Sequence, residues 1–312
     1  MYQQLYHKLR GIIVPLATPL ISQDSLDLRG LNNLTEHVIA GGVNGIFILG
    51  TTGEAQHLSY CTRRELIIQC AQAVRERIPL LVGISDTSIE EAVSLAEIAA
   101  QVGAMAVVAT PPYYYLPGQH ELIRFYRSLA DKLPLPLYLY NMPSHVKVNI
   151  EPETVLALAE HRNIVGLKDS SANAVYFQKL LYLLKGKPFS LFMGPEEVTA
   201  EVVMMGAHGG VNGGANLFPS LYTALYISAV NKDHERLSLI QDLVMSISNL
   251  IYTVGKYDSS YLMGVKTALY LKGICSDCMS EPFHSFDGSE RELLRDRLQT
   301  IESKLSQLSF HL

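Results

Sequence analysis

Short apolar runs alternate with longer amphipathic stretches through the first two thirds of the chain. Eight runs read as strands: Ile12–Ala17, Gly45–Leu49, Leu80–Gly83, Ala106–Thr110, Leu137–Tyr140, Val165–Lys168, Ser190–Met193 and Gly209–Asn212. Most of their residues are apolar, the pattern of parallel strands buried on both faces. Between them, apolar positions recur at helical spacing. Ser88-Ile89-Glu90-Glu91 has the form of a capping box with Ser88 as N-cap, and Ile89, Ala92, Val93, Ala96, Ala99 and Ala100 continue as one stripe. Gly103 ends that helix just before the next apolar run. Glu151-Pro152-Glu153 opens another, with proline in the first turn and carboxylates near its positive end. Eight strand–helix units in succession predict an α/β fold, a closed (β/α)8 TIM barrel.

After Asn212 the alternation stops. Residues 219–308 read as helices only, with Leu225 on one apolar face and Ile240, Leu243, Ile247 and Leu250 on another. The expected division is a barrel over residues 1–218 and a C-terminal helical extension over residues 219–312, packed on it without a Pro/Gly/Ser linker.

Composition narrows the classes of function. The chain has 312 residues, 48% hydrophobic and 18% charged, so it holds enough apolar material for one large barrel core. Its formal net charge is −5 and its basic residues never cluster beyond a pair, so no nucleic-acid partner is expected. No apolar run is long enough to span a bilayer. Met1–Lys8 lacks the apolar core of a secretory leader. Cys61, Cys70, Cys275 and Cys278 do not make a disulfide framework in a chain this long. A cytoplasmic protein with no membrane partner is the expectation.

Barrels keep their chemistry at the carboxyl ends of the strands. Lys168 closes the sixth run, Ile164-Val165-Gly166-Leu167, ahead of Asp169-Ser170-Ser171. A free lysine titrates near ~10.4, and burial lowers that value by up to several units. A desolvated amine attacks ketones to form a Schiff base; the structural alternative is a lysine whose stem covers the rim while its ammonium stays in water. The second run ends in Gly50-Thr51-Thr52-Gly53-Glu54, a turn whose N–H groups and hydroxyls can hold a carboxylate, or an ordinary βα turn. The fifth ends in Tyr138-Leu139-Tyr140-Asn141-Met142-Pro143. Tyr138 and Tyr140 share a face there, and Tyr140 is either a proton shuttle at the mouth or a packed core phenol. The fourth ends in Thr110-Pro111-Pro112-Tyr113-Tyr114-Tyr115-Leu116-Pro117, aromatic surface suited to a substrate wall or a protein contact. Gly194-Pro195-Glu196-Glu197 makes a poor phosphate seat, whereas Asn212-Gly213-Gly214-Ala215-Asn216 would let a ligand approach the backbone. No dinucleotide or phosphate-loop glycine motif occurs, nor His-Glu-x-x-His, and Cys275-Ser276-Asp277-Cys278 has no second pair. No cofactor and no metal are therefore expected.

Gly50-Thr51-Thr52-Gly53-Glu54, Tyr140-Asn141-Met142-Pro143 and Gly166-Leu167-Lys168-Asp169 together resemble the dihydrodipicolinate synthase / N-acetylneuraminate lyase family. The likeness runs from Gly11-Ile12-Ile13-Val14-Pro15 to the C-terminal helices. The resemblance implies a metal-independent class I lyase that forms a Schiff base with pyruvate or a related 2-oxo acid and joins it to, or releases it from, an aldehyde. It implies Lys168 as the Schiff-base lysine, Tyr140 as the proton-transfer residue, and Thr51 and Thr52 as holders of the pyruvate carboxylate, with Thr51 also in a proton relay. Tyr114 best matches a relay tyrosine reaching in from a neighbouring subunit, with Tyr113 and Tyr115 as rival registers. Val211 matches the eighth-strand position beside the lysine. A homotetramer built as a dimer of dimers is the implied assembly.

The departures bear on substrate. Dihydrodipicolinate synthases carry an arginine two residues beyond the proline of Tyr-Asn-x-Pro, where this chain has His145. Histidine lacks the permanent charge and the fork of arginine. Gly-Pro-Glu-Glu also replaces the Gly-Asp-Asp of some members. The expected substrate is thus an unphosphorylated 2-keto-3-deoxy sugar acid. The alternatives are 4-hydroxy-tetrahydrodipicolinate synthesis, dehydration or decarboxylation of a keto-deoxy sugar acid, and non-catalytic binding of a 2-oxo acid.

Overall fold

The computed structural model describes residues 9–308. The stretch Met1–Lys8 and the last four residues of the extension lie outside the described residues.

The chain begins with β1 (Gly11–Pro15) and a small antiparallel hairpin, β2 (Leu20–Ser22) and β3 (Ser25–Leu26). Strands and helices then alternate: α1 (Leu28–Ala40), β4 (Gly45–Ile48), α2 (Tyr60–Val74), β5 (Leu80–Gly83), α3 (Ile89–Gln101), β6 (Ala106–Ala109), α4 (Gln119–Lys132), β7 (Leu137–Asn141). A short α5 (Pro143–Val146) precedes α6 (Pro152–Leu158), β8 (Ile164–Asp169), α7 (Ala174–Leu183), β9 (Ser190–Met193), α8 (Thr199–Met204) and β10 (Gly209–Val211). β1 pairs in parallel with both β4 and β10, and the ring of eight strands closes. This is the expected TIM barrel, with strand ends within two residues of those predicted.

Both faces of every barrel strand are apolar because each feeds a different core. Ile12, Val14, Ile46, Ile48, Val107, Leu137 and Leu139 pack outward under the helices. Ile13, Phe47, Leu81, Val108, Tyr138, Tyr140, Phe192 and Val211 fill the interior. Successive side chains thus take opposite sides, as pleating requires.

β8 breaks that alternation. Val165 belongs to the inner core, yet Leu167, two residues on, belongs to the outer one. The pairing with β7 shifts at this point: Leu137 lies opposite Ile164, but Tyr138 lies opposite Gly166. One extra residue is absorbed, and the parity of the strand's end is reversed. Lys168 consequently turns into the barrel, opposite Tyr140 on one side and Phe192 on the other. Gly166 makes the shift sterically possible, because a Cβ there would meet the Tyr138 ring at 2.4 Å and the Ser190 carbonyl at 2.7 Å.

Helix ends follow local chemistry. Ser88 caps α3 by accepting from the Glu91 N–H at 3.4 Å. The return half of the predicted box is absent: the Ser88 N–H donates to Asp86 Oδ1, and Glu91 pairs with Arg64 instead.

Four helices follow the last strand: α9 (Pro219–Asn231), α10 (His234–Ile251), α11 (Ser260–Leu271) and α12 (Gly288–Leu308). α9 rests on β1 and α8, the place of an eighth barrel helix. We therefore propose that the barrel unit runs through α9 and that the extension proper is α10–α12. α10 and α11 touch the loops after the last two strands, which brings the extension over the barrel mouth. Among the described residues no helix is long and apolar enough to cross a membrane.

Gly166→Ala should be costly beyond helix- or strand-propensity effects. Overpacking against Tyr138 is expected to remove about 1–3 kcal/mol of stability and most turnover. Urea unfolding and steady-state kinetics would check this; a variant with wild-type values for both would mean the shift in β8 needs no glycine.

Candidate active site

Lys168 is 7% exposed and Tyr140 3%. The lysine Nζ lies 4.1 Å from the centre of the Tyr140 ring and 5.3 Å from that of Phe47. The Tyr140 hydroxyl is 3.1 Å from Thr51 Oγ1. Burial works to raise the Tyr140 phenol, but the Lys168 charge and hydrogen bonds with Thr51, Lys168 and Ser170 outweigh it and hold the group below its ordinary range. The lysine is thus not the solvated rim residue of the structural alternative, and the phenol is both packed in the core and bonded to a threonine.

The two strand ends are held by their next residues. Asn141 Nδ2 donates to Asp169 Oδ1 at 2.9 Å, bridging β7 and β8 immediately beyond Tyr140 and Lys168. Asp169 also accepts from the Ser171 N–H and hydroxyl, and Asn141 Oδ1 accepts from the Ile150 N–H. Burial pushes the Asp169 carboxyl up despite those bonds.

The Gly-Thr-Thr-Gly-Glu loop is anchored from the far end of the chain. Glu54, left-handed at φ 56°, is fully buried and meets Lys266 Nζ at 2.5 Å. Its other oxygen accepts from the Ser280 N–H and hydroxyl at 2.8 and 2.7 Å. Thr52 Oγ1 lies 2.9 Å from the Tyr261 hydroxyl. The extension thus supports the loop that carries both threonines.

A cavity of about 750 Å³ opens beside Thr51. Its wall includes Tyr113, His145, Lys256, Asp258 and Tyr261. Thr51 joins cavity and pair: it lines the one and bonds the other. Burial, with Lys147 and Lys168 nearby, holds the His145 imidazole below its ordinary range against the opposing charge of Asp258.

Not every predicted site residue converges. Val211 packs in the barrel interior with Tyr140 and Phe192. Tyr114 is 88% exposed at φ 85°, stacked edge-on against the equally exposed Tyr115. Within one chain, Tyr113 is the tyrosine of that loop at the cavity. Gly213 and Gly214 admit phenols: a Cβ on them would meet the hydroxyls of Tyr261 and Tyr222, each at 1.9 Å. Glu196 is buried and accepts from the Gly214 N–H and the Tyr222 and Tyr252 hydroxyls; burial pushes its carboxyl up to about 7. Cys70 and Cys275 are buried thiols pushed up to about 12 by burial, while Cys61 is exposed. Asn141, Asp169 and Glu54 appear in the sequence motifs without an assigned role, and Lys266 and Tyr261 belong to no motif. A strand-end Asn or Asp beside a candidate catalytic residue is the one signal that could have given the first two a role.

A buried lysine thus meets a phenol held below its ordinary range at the carboxyl end of a parallel barrel. Comparison with known proteins gives the family. The model of the Dihydrodipicolinate synthetase family matches residues 8–301. The chain is 32% identical over 293 residues to 4-hydroxy-tetrahydrodipicolinate synthase of Geobacter metallireducens, covering 94% of this chain and 99% of that one. The dihydrodipicolinate synthase structure from Bacteroides thetaiotaomicron matches with a TM-score of 0.92 at 55% identity, over 94% of this chain and 99% of its own. YagE, a prophage protein of Escherichia coli K12 solved in complex with pyruvate, matches with a TM-score of 0.89 at 26% identity, over 95% and 99%. The chain belongs to the dihydrodipicolinate synthetase family and is a class I lyase.

Two outcomes follow from the electrostatics. In Lys168→Ala the charge that lowers Tyr140 is gone while burial remains, so the phenol should titrate higher than in the wild-type protein. Ultraviolet difference titration, with Tyr140→Phe as the blank in each background, reads this; an unchanged or lower value in Lys168→Ala would contradict it. Lys266→Met should cost about 3–5 kcal/mol, because Glu54 is left buried without its cation. A loss below about 1 kcal/mol by urea unfolding would show that the pair does not hold the loop.

Proposed function

We propose that the protein uses Lys168 to form a Schiff base with pyruvate and thereby makes or breaks a carbon–carbon bond to an aldehyde, acting on a 2-keto-3-deoxy sugar acid. The observation that carries this reading is the buried Lys168–Tyr140 pair, joined by a hydrogen bond to Thr51, which lines the cavity. The pyruvate complexes of YagE and of the Acinetobacter baumannii dihydrodipicolinate synthase support the choice of 2-oxo acid.

On this reading Thr51 and Thr52 hold the carboxylate, and the Lys168 amine adds to the neighbouring ketone. Loss of water gives an iminium, which serves as an electron sink. Tyr140, as phenolate, takes the proton from the substrate's C4 hydroxyl; the C3–C4 bond breaks, the aldehyde leaves and the enamine remains. Protonation at C3 and hydrolysis release pyruvate. General acid–base help of this kind is worth about 10²–10⁴-fold. Thr51 relays the Tyr140 proton toward the cavity. Tyr114, solvent-facing in one chain, would complete that relay in a neighbouring copy of a homotetramer arranged as a dimer of dimers.

His145 sets the substrate preference in this proposal. It lines the cavity where a permanent cation would favour a carboxylated aldehyde, and its imidazole is held toward the neutral form. A second reading, 4-hydroxy-tetrahydrodipicolinate synthesis, is favoured by the names of the curated relatives and by Lys256, a cation in the same cavity wall.

Product analysis separates the two. Cleavage of keto-deoxy sugar acids to pyruvate and aldehyde is expected, with turnover abolished in Lys168→Ala and lowered about 10²-fold or more in Tyr140→Phe. Condensation of pyruvate with aspartate semialdehyde alone would favour the second reading. Loss of water or carbon dioxide without aldehyde would indicate a dehydratase or decarboxylase. Wild-type turnover in Lys168→Ala would remove the Schiff base altogether.

A further inference from the structure

Two adjacent threonines each meet a phenol, and the two phenols are set in different surroundings. Thr51 faces Tyr140, beside the Lys168 amine; Thr52 faces Tyr261, which comes from α11 in the extension. A threonine hydroxyl has a single proton to give. If Thr52 gave it to Tyr261, nothing would remain for a bound carboxylate.

We propose that Tyr261 donates its hydrogen bond to Thr52 and so commits the Thr52 proton to the carboxylate of the 2-oxo acid, which makes Tyr261 a positioning residue for substrate binding. The inference rests on the reading of Thr52 as part of the carboxylate seat.

The surroundings of Tyr261 fix both its place and its polarity. Its ring meets Tyr252 edge-on at 4.8 Å, and the Tyr252 hydroxyl is itself tied to Glu196 at 2.6 Å. On the other side its hydroxyl lies where a Cβ of residue 213 would be, so Gly213 leaves the space it occupies. Thr52 is 4% exposed, so few other partners compete for its hydroxyl. Burial first, and the charge of Glu196 second, push the Tyr261 phenol up, which favours its protonated, donating form. Tyr140 is the opposite case, a phenol its lysine neighbour makes ready to lose a proton. Thr51 thus bonds the phenol that is lowered and Thr52 the phenol that is raised.

A double-mutant cycle tests this. Pyruvate dissociation constants and kcat would be measured by calorimetry and steady-state kinetics for the wild type, Tyr261→Phe, Thr52→Val and the double variant, and again with Thr52→Ser. Tyr261→Phe should weaken pyruvate binding about tenfold, the scale of one hydrogen bond to a charged group, with kcat at saturation changed less than about twofold. The Tyr261→Phe penalty should vanish in Thr52→Val and persist in Thr52→Ser, which keeps the hydroxyl. Wild-type affinity in Tyr261→Phe, or a penalty undiminished by Thr52→Val, would overturn the proposal. Wild-type affinity in Thr52→Val would instead show that the carboxylate seat itself is misassigned.

Discussion

The reversal of parity in β8 is the constraint on which the site depends. With strict alternation after Val165, Leu167 would point into the barrel and Lys168 out beneath the helices. The extra residue at Val165–Gly166 exchanges them. It exists only because Gly166 presents no side chain to the Tyr138 ring. Irregularities of this kind are common beside active sites, where they re-aim a side chain without disturbing the sheet. Here the next residue stabilises the result: Asp169 is joined to Asn141 across the strand pair, so Lys168 and Tyr140 stay opposite each other.

Once the lysine is inside, burial and charge divide the tyrosines of the molecule. Tyr126, Tyr222, Tyr252 and Tyr261 are pushed up by burial. Tyr140 is as deeply enclosed, yet its phenol falls because an amine and a threonine hydroxyl lie against it. The lowering is therefore a property of these contacts, not of the barrel interior. The extension contributes from outside: Lys266 and Ser280 fix Glu54, and Tyr261 meets Thr52, so the Gly-Thr-Thr-Gly-Glu loop is held from above as well as by its own strand.

Much of this was legible in the residues themselves. The eight apolar runs were readable because a doubly buried strand has almost no polar positions; the turn after the second carried Thr51, and the ends of the fifth and sixth carried Tyr140 and Lys168, which the fold brings together. The parity change was not readable, since Gly166-Leu167-Lys168 looks the same with or without an extra residue in the pairing. The Glu54–Lys266 pair joins residues 212 positions apart and has no local pattern. Tyr261 was hidden for the same reason, lying in helices read only for their apolar faces. The tyrosine run favours Tyr114 over Tyr113 and Tyr115 for the relay position, but the left-handed turn at Tyr114 sends Tyr113 to the cavity and the other two outward within one chain.

On the proposed function the Lys168 amine, and no other, meets the keto group. Borohydride reduction in the presence of pyruvate, followed by peptide mass mapping, reads this. A single reduced pyruvyl adduct is expected, on the peptide that contains Lys168. An adduct on Lys256, which lines the cavity, or a protein left unmodified at saturating pyruvate, would contradict it.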